Sequence, residues 1–235
     1  MFNFKLFCIY SLKQKKDNSY RMYRKIIIRN IEKNDFDAVR SLQQKVYPHM
    51  RPWSLNQLEN HLIQFPEGQI IAEFEGQIVG TASSLIIQWN EYTPYHSWKE
   101  VTGAGSFDTH NKNGLTLYGA EVCVDPEIRR QGIGNKLYKA RKDICRRFNL
   151  KRIIAAGRIP NYHLYADKMT AHEYAMQVIW GDIYDPVLRF QIKEGFQFCD
   201  VIENYLVGDN DSLEYATLIV WLNQDYKENK RKVSE

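Results

Sequence analysis

The 235-residue sequence has no apolar run approaching the roughly 20 residues that cross a bilayer as a helix, so no membrane span is expected. Cysteine is scarce. Cys8, Cys123, Cys145 and Cys199 are widely spaced and form no CxxC pair, which argues against a zinc site or a disulfide framework and fits a reducing cytoplasm. No metal is expected. Positive charge is scarcer than the net value of +4 suggests. Residues 1–25 hold seven basic side chains and one acid, leaving 25 basic against 27 acidic residues in the remainder. A body without basic excess is a poor nucleic-acid binder. Neither an internal repeat nor a dividing linker is visible, and the length suits one domain.

What is present falls into a folded body, 25–223, between a disordered N-terminal extension, 1–24, and a charged tail, 224–235. The extension is apolar and aromatic but has no basic start and no small-residue cleavage site, so it makes a poor secretory signal. Met22 is the preferred start, over a functional leading tail. Lys25–Ile31 reads as a strand. Asn34 or Asp35 caps a helix to Val46, and Ser54 caps a second to Phe65. Gln69–Phe74 and Gln77–Ile87 form a hairpin about Glu75-Gly76. Thr116–Val124 and Arg152–Ala156 are strands, 170–180 and Pro186–Glu194 helices, and Phe196–Tyr205 and Tyr215–Leu222 closing strands. The long aromatic segment 88–114 is expected to be functional or mobile.

The densest signal is Val122-Cys123-Val124-Asp125-Pro126-Glu127-Ile128-Arg129-Arg130-Gln131-Gly132-Ile133-Gly134, running into a helix over Ile133–Phe148. Ile133, Leu137, Ala140, Ile144 and Phe148 form its apolar stripe. The basic residues beyond Lys139, Arg141 among them, read as a solvated face. A strand, a turn and a glycine-bearing loop opening onto a helix gather free N–H groups and a positive helix end at one point, which suits a diphosphate. Gly132 and Gly134 permit close approach and unusual dihedrals. No Gly-Lys-Ser/Thr follows, and the glycine spacing does not match a dinucleotide fingerprint.

This pattern, carried by Val124, Pro126, Arg129, Gly132 and Gly134, resembles the acyl-CoA pyrophosphate loop of the GNAT superfamily of N-acyltransferases. The element order over residues 25–222 and the Pro186–Phe196 segment are similar to that family as well. The resemblance implies a single α/β (α+β) domain with a central mixed, mostly antiparallel sheet flanked by helices. Gly157-Arg158-Ile159-Pro160, Tyr162, Tyr165 and Asp185–Gln191 resemble a branch often fused to nitrilase-like carbon–nitrogen hydrolases. About a dozen residues follow the last strand, so a stand-alone form of that domain is expected.

The resemblance implies acetyl-CoA as co-substrate, with an amine or peptide amine as acceptor. It also implies pairing of the Val122 and Val124 backbones with pantetheine, and contacts to the diphosphate from Gln131, Gly132, Ile133, Gly134, Arg129 and Arg130. It leaves room for a homodimer or a carbon–nitrogen hydrolase partner. Glu121, in an apolar strand beside the acyl site, is the first candidate for general base. The alternative is a structural carboxylate paired with a cation. Tyr162 and His163 are further catalytic candidates, whereas Asp108 and His110 read as solvated. Many family members carry an acidic Tyr four residues before the Gly of the Gly-Phe turn. Here Gln191 stands there and cannot donate as an acid, which puts catalysis, but not binding, in question. Tyr47–Trp53 and the aromatics Trp89, Tyr92, Tyr95 and Trp98 read either as acceptor-pocket walls or as core.

Overall fold

A computed structural model describes residues 25–128 and 130–228. The expectations for the extension 1–24, for Arg129 and for the last seven residues lie outside them. Seven strands form one sheet, in the order β1-β2-β3-β4-β5-β7-β6. They are β1 (Ile27–Asn30), β2 (Gln69–Phe74), β3 (Gln77–Ile87), β4 (Thr116–Val124), β5 (Arg152–Arg158), β6 (Gln197–Ile202) and β7 (Ala216–Leu222). All neighbours are antiparallel except β4 and β5. A parallel pair needs a crossover. Helix α4 (Ile133–Arg147) supplies it, following α1 (Phe36–Val46), α2 (Leu55–Gln64) and the single turn α3 (Trp98–Val101). Helices α5 (Ala171–Trp180) and α6 (Pro186–Lys193) complete the chain. The expected mixed, mostly antiparallel sheet flanked by helices is the observed fold.

Local chemistry explains the boundaries. Ser54 accepts from the Gln57 N–H and Gln57 reaches back to the Ser54 N–H, a capping box that starts α2. Glu75 and Gly76 both take positive φ, 52° and 78°, as a two-residue hairpin turn requires. Buried Asp185 caps α6 through the N–H groups of Val187 and Leu188. Its other oxygen accepts from the Tyr174 hydroxyl at 2.9 Å, which ties α5 to α6. Strand β5 runs two residues beyond the sequence expectation, because β7 continues to pair with it as far as Arg158.

The sheet divides two cores. On one face, α4, α5 and α6 cover a cluster that includes Leu117, Leu137, Tyr138, Ile153, Tyr174 and Leu188. On the other, α1, α2 and residues 88–114 enclose Phe36, Trp53, Leu58, Phe107, Tyr118 and Ile154. The long segment contributes to this core at a few positions: Val101 and Phe107 are fully buried, and Trp53 and Trp98 stack with ring centroids 5.4 Å apart. His110, expected in solvent, stacks on Phe65 at 5.0 Å. Cys123 and Cys145 are buried free thiols and Cys199 is exposed.

Candidate active site

Strands β4 and β5 pair only from Thr116–Gly119 against Arg152–Ala155, and then separate. Beyond that point β4 continues along β3 and β5 along β7. A wedge therefore opens between residues 120–124 and 156–158. The cause is a bulge: Ser83 pairs with Glu121 but Ser84 pairs with Gly119, which leaves Ala120 as the extra residue. The Asp125 N–H donates to the Val79 carbonyl at 2.9 Å. Odd-numbered residues of this stretch thus turn their backbone to β3, and Val122 and Val124 direct theirs into the wedge.

Arg141 holds the bulge. It is 2% exposed, and from α4 it donates to Ser84 Oγ (3.0 Å), the Ser83 carbonyl (3.2 Å) and the Glu121 carbonyl (2.6 Å). These are the residues at which the register shifts. The expectation of a solvated basic face is corrected at this position. The signal was in the sequence: Arg141 follows Leu137 by four residues and precedes Ile144 by three, which places it on the apolar stripe. Among the described residues no carboxylate is a hydrogen-bond partner of Arg141; carbonyl and hydroxyl dipoles, with the Glu121 charge nearby, compensate it.

Glu121 is half-buried. Its carboxylate accepts from the Thr81 hydroxyl at 3.0 Å, and that hydroxyl is 3.2 Å from Cys123 Sγ. Burial pushes the carboxyl up to about 7, while hydrogen bonds from Cys123 and Thr81 and the charge of Arg141 hold it back. The alternative is a carboxylate ion-paired to a basic side chain; among the described residues no basic side chain hydrogen-bonds or ion-pairs with it. Tyr47, just past α1, crosses the same face and donates to the Val122 carbonyl at 2.8 Å. The Arg158 guanidinium lies 5.5 Å from the centre of its ring and is itself held by Asp209 and Asp211 of the β6–β7 loop.

At the other end of the wedge, Lys136 N–H is the first to close a helical bond, onto the Gly132 carbonyl at 3.1 Å. The N–H groups of Ile133, Gly134 and Asn135 therefore have no helical acceptor. Arg130 and Gln131 are exposed beside them, whereas the Ile133 side chain is buried and offers only its backbone. Gly132 takes φ +75° with open space where a β-carbon would be, so its requirement is conformational. Gly134 differs: a β-carbon there would come 3.0 Å from the Phe190 ring, so it also serves packing against α6. Gly132→Ala is accordingly expected to cost about 1–2 kcal/mol through left-handed backbone strain alone, read by urea denaturation; a change below about 0.3 kcal/mol would contradict this reading.

Two of the expected catalytic residues have other partners. Tyr162 packs against Tyr174 and Tyr215, and its hydroxyl donates to the Met169 carbonyl at 3.3 Å. It lines a hollow of about 610 Å³ beside α5, together with Glu173, Asp200 and Glu203. Exposed His163 directs Nδ1 to the Pro160 and Asp211 carbonyls, at 3.0 and 2.9 Å. Neither forms a hydrogen bond or ring contact with Glu121, Thr81 or Tyr47. Among the described residues no group of three or more His, Cys, Asp or Glu side chains is arranged to hold a metal ion. No described helix is long and apolar enough to cross a membrane.

The comparisons with known proteins agree with this geometry. The chain is 36% identical over 220 residues to the uncharacterized N-acetyltransferase YkwB of Bacillus subtilis, covering 92% of this chain and 97% of that one. It is 50% identical over 212 residues to the probable hydrolase YhcX of the same organism, where it covers 90% of this chain but only 41% of the relative. Among solved structures, the GphF GNAT-like decarboxylase in complex with isobutyryl-CoA superposes with a TM-score of 0.73 at 23% identity, over 83% of this chain and 98% of that one, a likeness of fold. The acetyltransferase (GNAT) family model matches residues 28–169. The split β4–β5 pair, the bulge beside it and the loop opening onto α4 are thus the features of a chain that belongs to the GNAT acetyltransferase family.

Proposed function

We propose that this protein is an acetyl-CoA-dependent N-acetyltransferase that moves an acetyl group to a primary amine, a small molecule or a peptide amine, by direct attack in the cytoplasm. The observation that carries the reading is Glu121. It is a half-buried carboxylate with a proton affinity near neutrality, at the bulge that opens the wedge. A base of that strength can take the proton of an attacking amine near pH 7 and release it again. The pantetheine arm would lie in the wedge against the Val122 and Val124 backbones. The diphosphate would sit on the N–H groups from Gln131 to Gly134, with Arg130 and Arg129 supplying charge. The Tyr47 hydroxyl takes one lone pair of the Val122 carbonyl, which leaves the second for a ligand N–H.

Thermal unfolding with acetyl-CoA tests the reading directly. At about 100 times the Kd, binding adds about 2.7 kcal/mol, or roughly 5–10 °C for a domain of this size. No shift at millimolar acetyl-CoA would overturn it. Release of free thiol across an amine panel then reports transfer.

A second reading has its own support. Half of the aligned residues are shared with a relative called a probable hydrolase, of which this chain spans 41%, and Gln191 lacks an acidic proton. In that reading the domain binds acyl-CoA and associates with a carbon–nitrogen hydrolase. A thermal shift with no thiol release above hydrolysis across the panel would favour it.

A further inference from the structure

Direct attack on a thioester expels a thiolate, and the hydroxyls near the wedge differ in whether they have a proton to give. Tyr47 has committed its proton to the Val122 carbonyl, and Thr81 has committed its own to Glu121. Tyr138 is different. Its oxygen accepts from Gln191 Nε2 at 3.2 Å, and no hydrogen bond among the described residues takes its proton. Gln191 is itself incomplete: the side chain is 3% exposed and Oε1 has no partner. A buried amide oxygen left unsatisfied costs free energy unless something else completes it.

The pair stands beside the wedge. The Gln191 amide lies flat on Gly157, where any β-carbon would overlap it. Gly157 is the second residue of β5 beyond Ala155, its last partner with β4, so the amide sits at the floor of the wedge. Tyr138 is one turn after Gly134 on α4. Its ring is held edge-on by Phe190 and Phe196 at 5.0 and 5.5 Å. The Arg141 guanidinium carbon stands 5.5 Å from the ring centre. Helices α4 and α6 are clamped over the wedge by Lys142, which donates to the Glu194 carbonyl at 2.6 Å.

We propose that Tyr138, presented by Gln191, is the proton donor to the departing thiolate, an inference that rests on the N-acetyltransferase reading above. The amine nitrogen attacks the thioester carbon and the carbon–sulfur bond breaks. The amine proton passes to Glu121, and the Tyr138 phenol proton passes to sulfur to give the free thiol. Tyr138 regains a proton from solvent as Glu121 releases its own. The Gln191 N–H stays on the phenol oxygen and stabilises the transient phenolate, and the Arg141 charge acts in the same direction.

The test compares wild type and Tyr138→Phe with one amine from the panel and two acyl donors: acetyl-CoA, and an S-acetyl aryl thioester whose thiol is already ionised at neutral pH. With acetyl-CoA, kcat is expected to fall by roughly 10²-fold with an unchanged acetyl-CoA Kd by calorimetry. With the aryl thioester, whose leaving group needs no proton, the two proteins should agree within about threefold. Adding Gln191→Tyr to Tyr138→Phe should recover at least about tenfold, because it returns a phenol to the same floor. Should Tyr138→Phe fail to fold, Gln191→Leu leaves the phenol but removes the N–H that holds it, and must show the same dependence on leaving group. Equal losses on both donors, or no loss on acetyl-CoA, would overturn the assignment while leaving the acetyltransferase reading standing. A wild-type protein that binds acetyl-CoA but transfers to no amine would overturn both.

Discussion

Glu121→Gln is expected to abolish most of the transfer and at the same time to stabilise the protein at alkaline pH. Loss of a general base costs roughly 10²–10⁴-fold in rate, whereas the amide keeps the shape and the hydrogen bond from Thr81. The stability effect follows from the sign of the shift. The folded carboxyl titrates at about 7, above its ordinary value of 4.5. Its contribution to stability is therefore full below pH 4.5 and is lost as pH rises through 7. At pH 8 the wild type holds a carboxylate that folding has partly stripped of water, and Gln removes that cost, worth about 1–3 kcal/mol after allowance for partial exposure. At pH 5 the folded wild-type group is still protonated and the two proteins should differ by less than about 1 kcal/mol. Denaturation curves at the two pH values and thiol release at pH 8 decide the matter. A variant that is as active as wild type, or whose gain in stability over wild type is no larger at pH 8 than at pH 5, would remove Glu121 as the base.

Arg141→Met should be the most damaging single change near the site. It leaves two backbone carbonyls and the Ser84 hydroxyl without their buried donor, and each unsatisfied group costs about 1–3 kcal/mol. The expected loss is about 3–5 kcal/mol, large enough to take a marginal domain close to unfolding. Arg141→Lys keeps the charge but replaces a planar fork with one compact ammonium, so it should recover part of the stability and less of the activity. If Arg141→Met lost under about 1 kcal/mol in urea denaturation, the guanidinium would not be what holds the bulge.

Much of the fold was legible in the residues because its signals are local. The boundaries of β2, β3 and β4 follow from β-branched runs ended by turns, and the starts of α2 and α6 from Ser54 and the Asp185-Pro186 pair. The loop before α4 was legible for the same reason: strand, turn, glycine and helix are contiguous, and their physics needs no distant partner. The site was only partly so. Glu121 could be singled out because a carboxylate in an apolar strand is conspicuous wherever the strand goes.

The groups that act on Glu121 could not be found that way. Thr81, Tyr47 and Arg141 stand 40, 74 and 20 positions from it in the chain and meet only because β3, α1 and α4 pack around one bulge. Arg141 reads as solvated from the sequence because charge usually is, and burial is a property of the neighbours rather than of the residue. Tyr162 and His163 stand out for their closeness in sequence to β5, and in the fold their hydrogen bonds go to the Met169, Pro160 and Asp211 carbonyls. The sequence by itself determined the elements, their order and the glycine-bearing loop that opens onto α4, because each depends on side chains a few residues apart. Only the tertiary structure decided which carboxylate is desolvated, which hydroxyls have already spent their protons and where Gln191 points, because desolvation and hydrogen-bond partnership are set by residues brought together from across the chain.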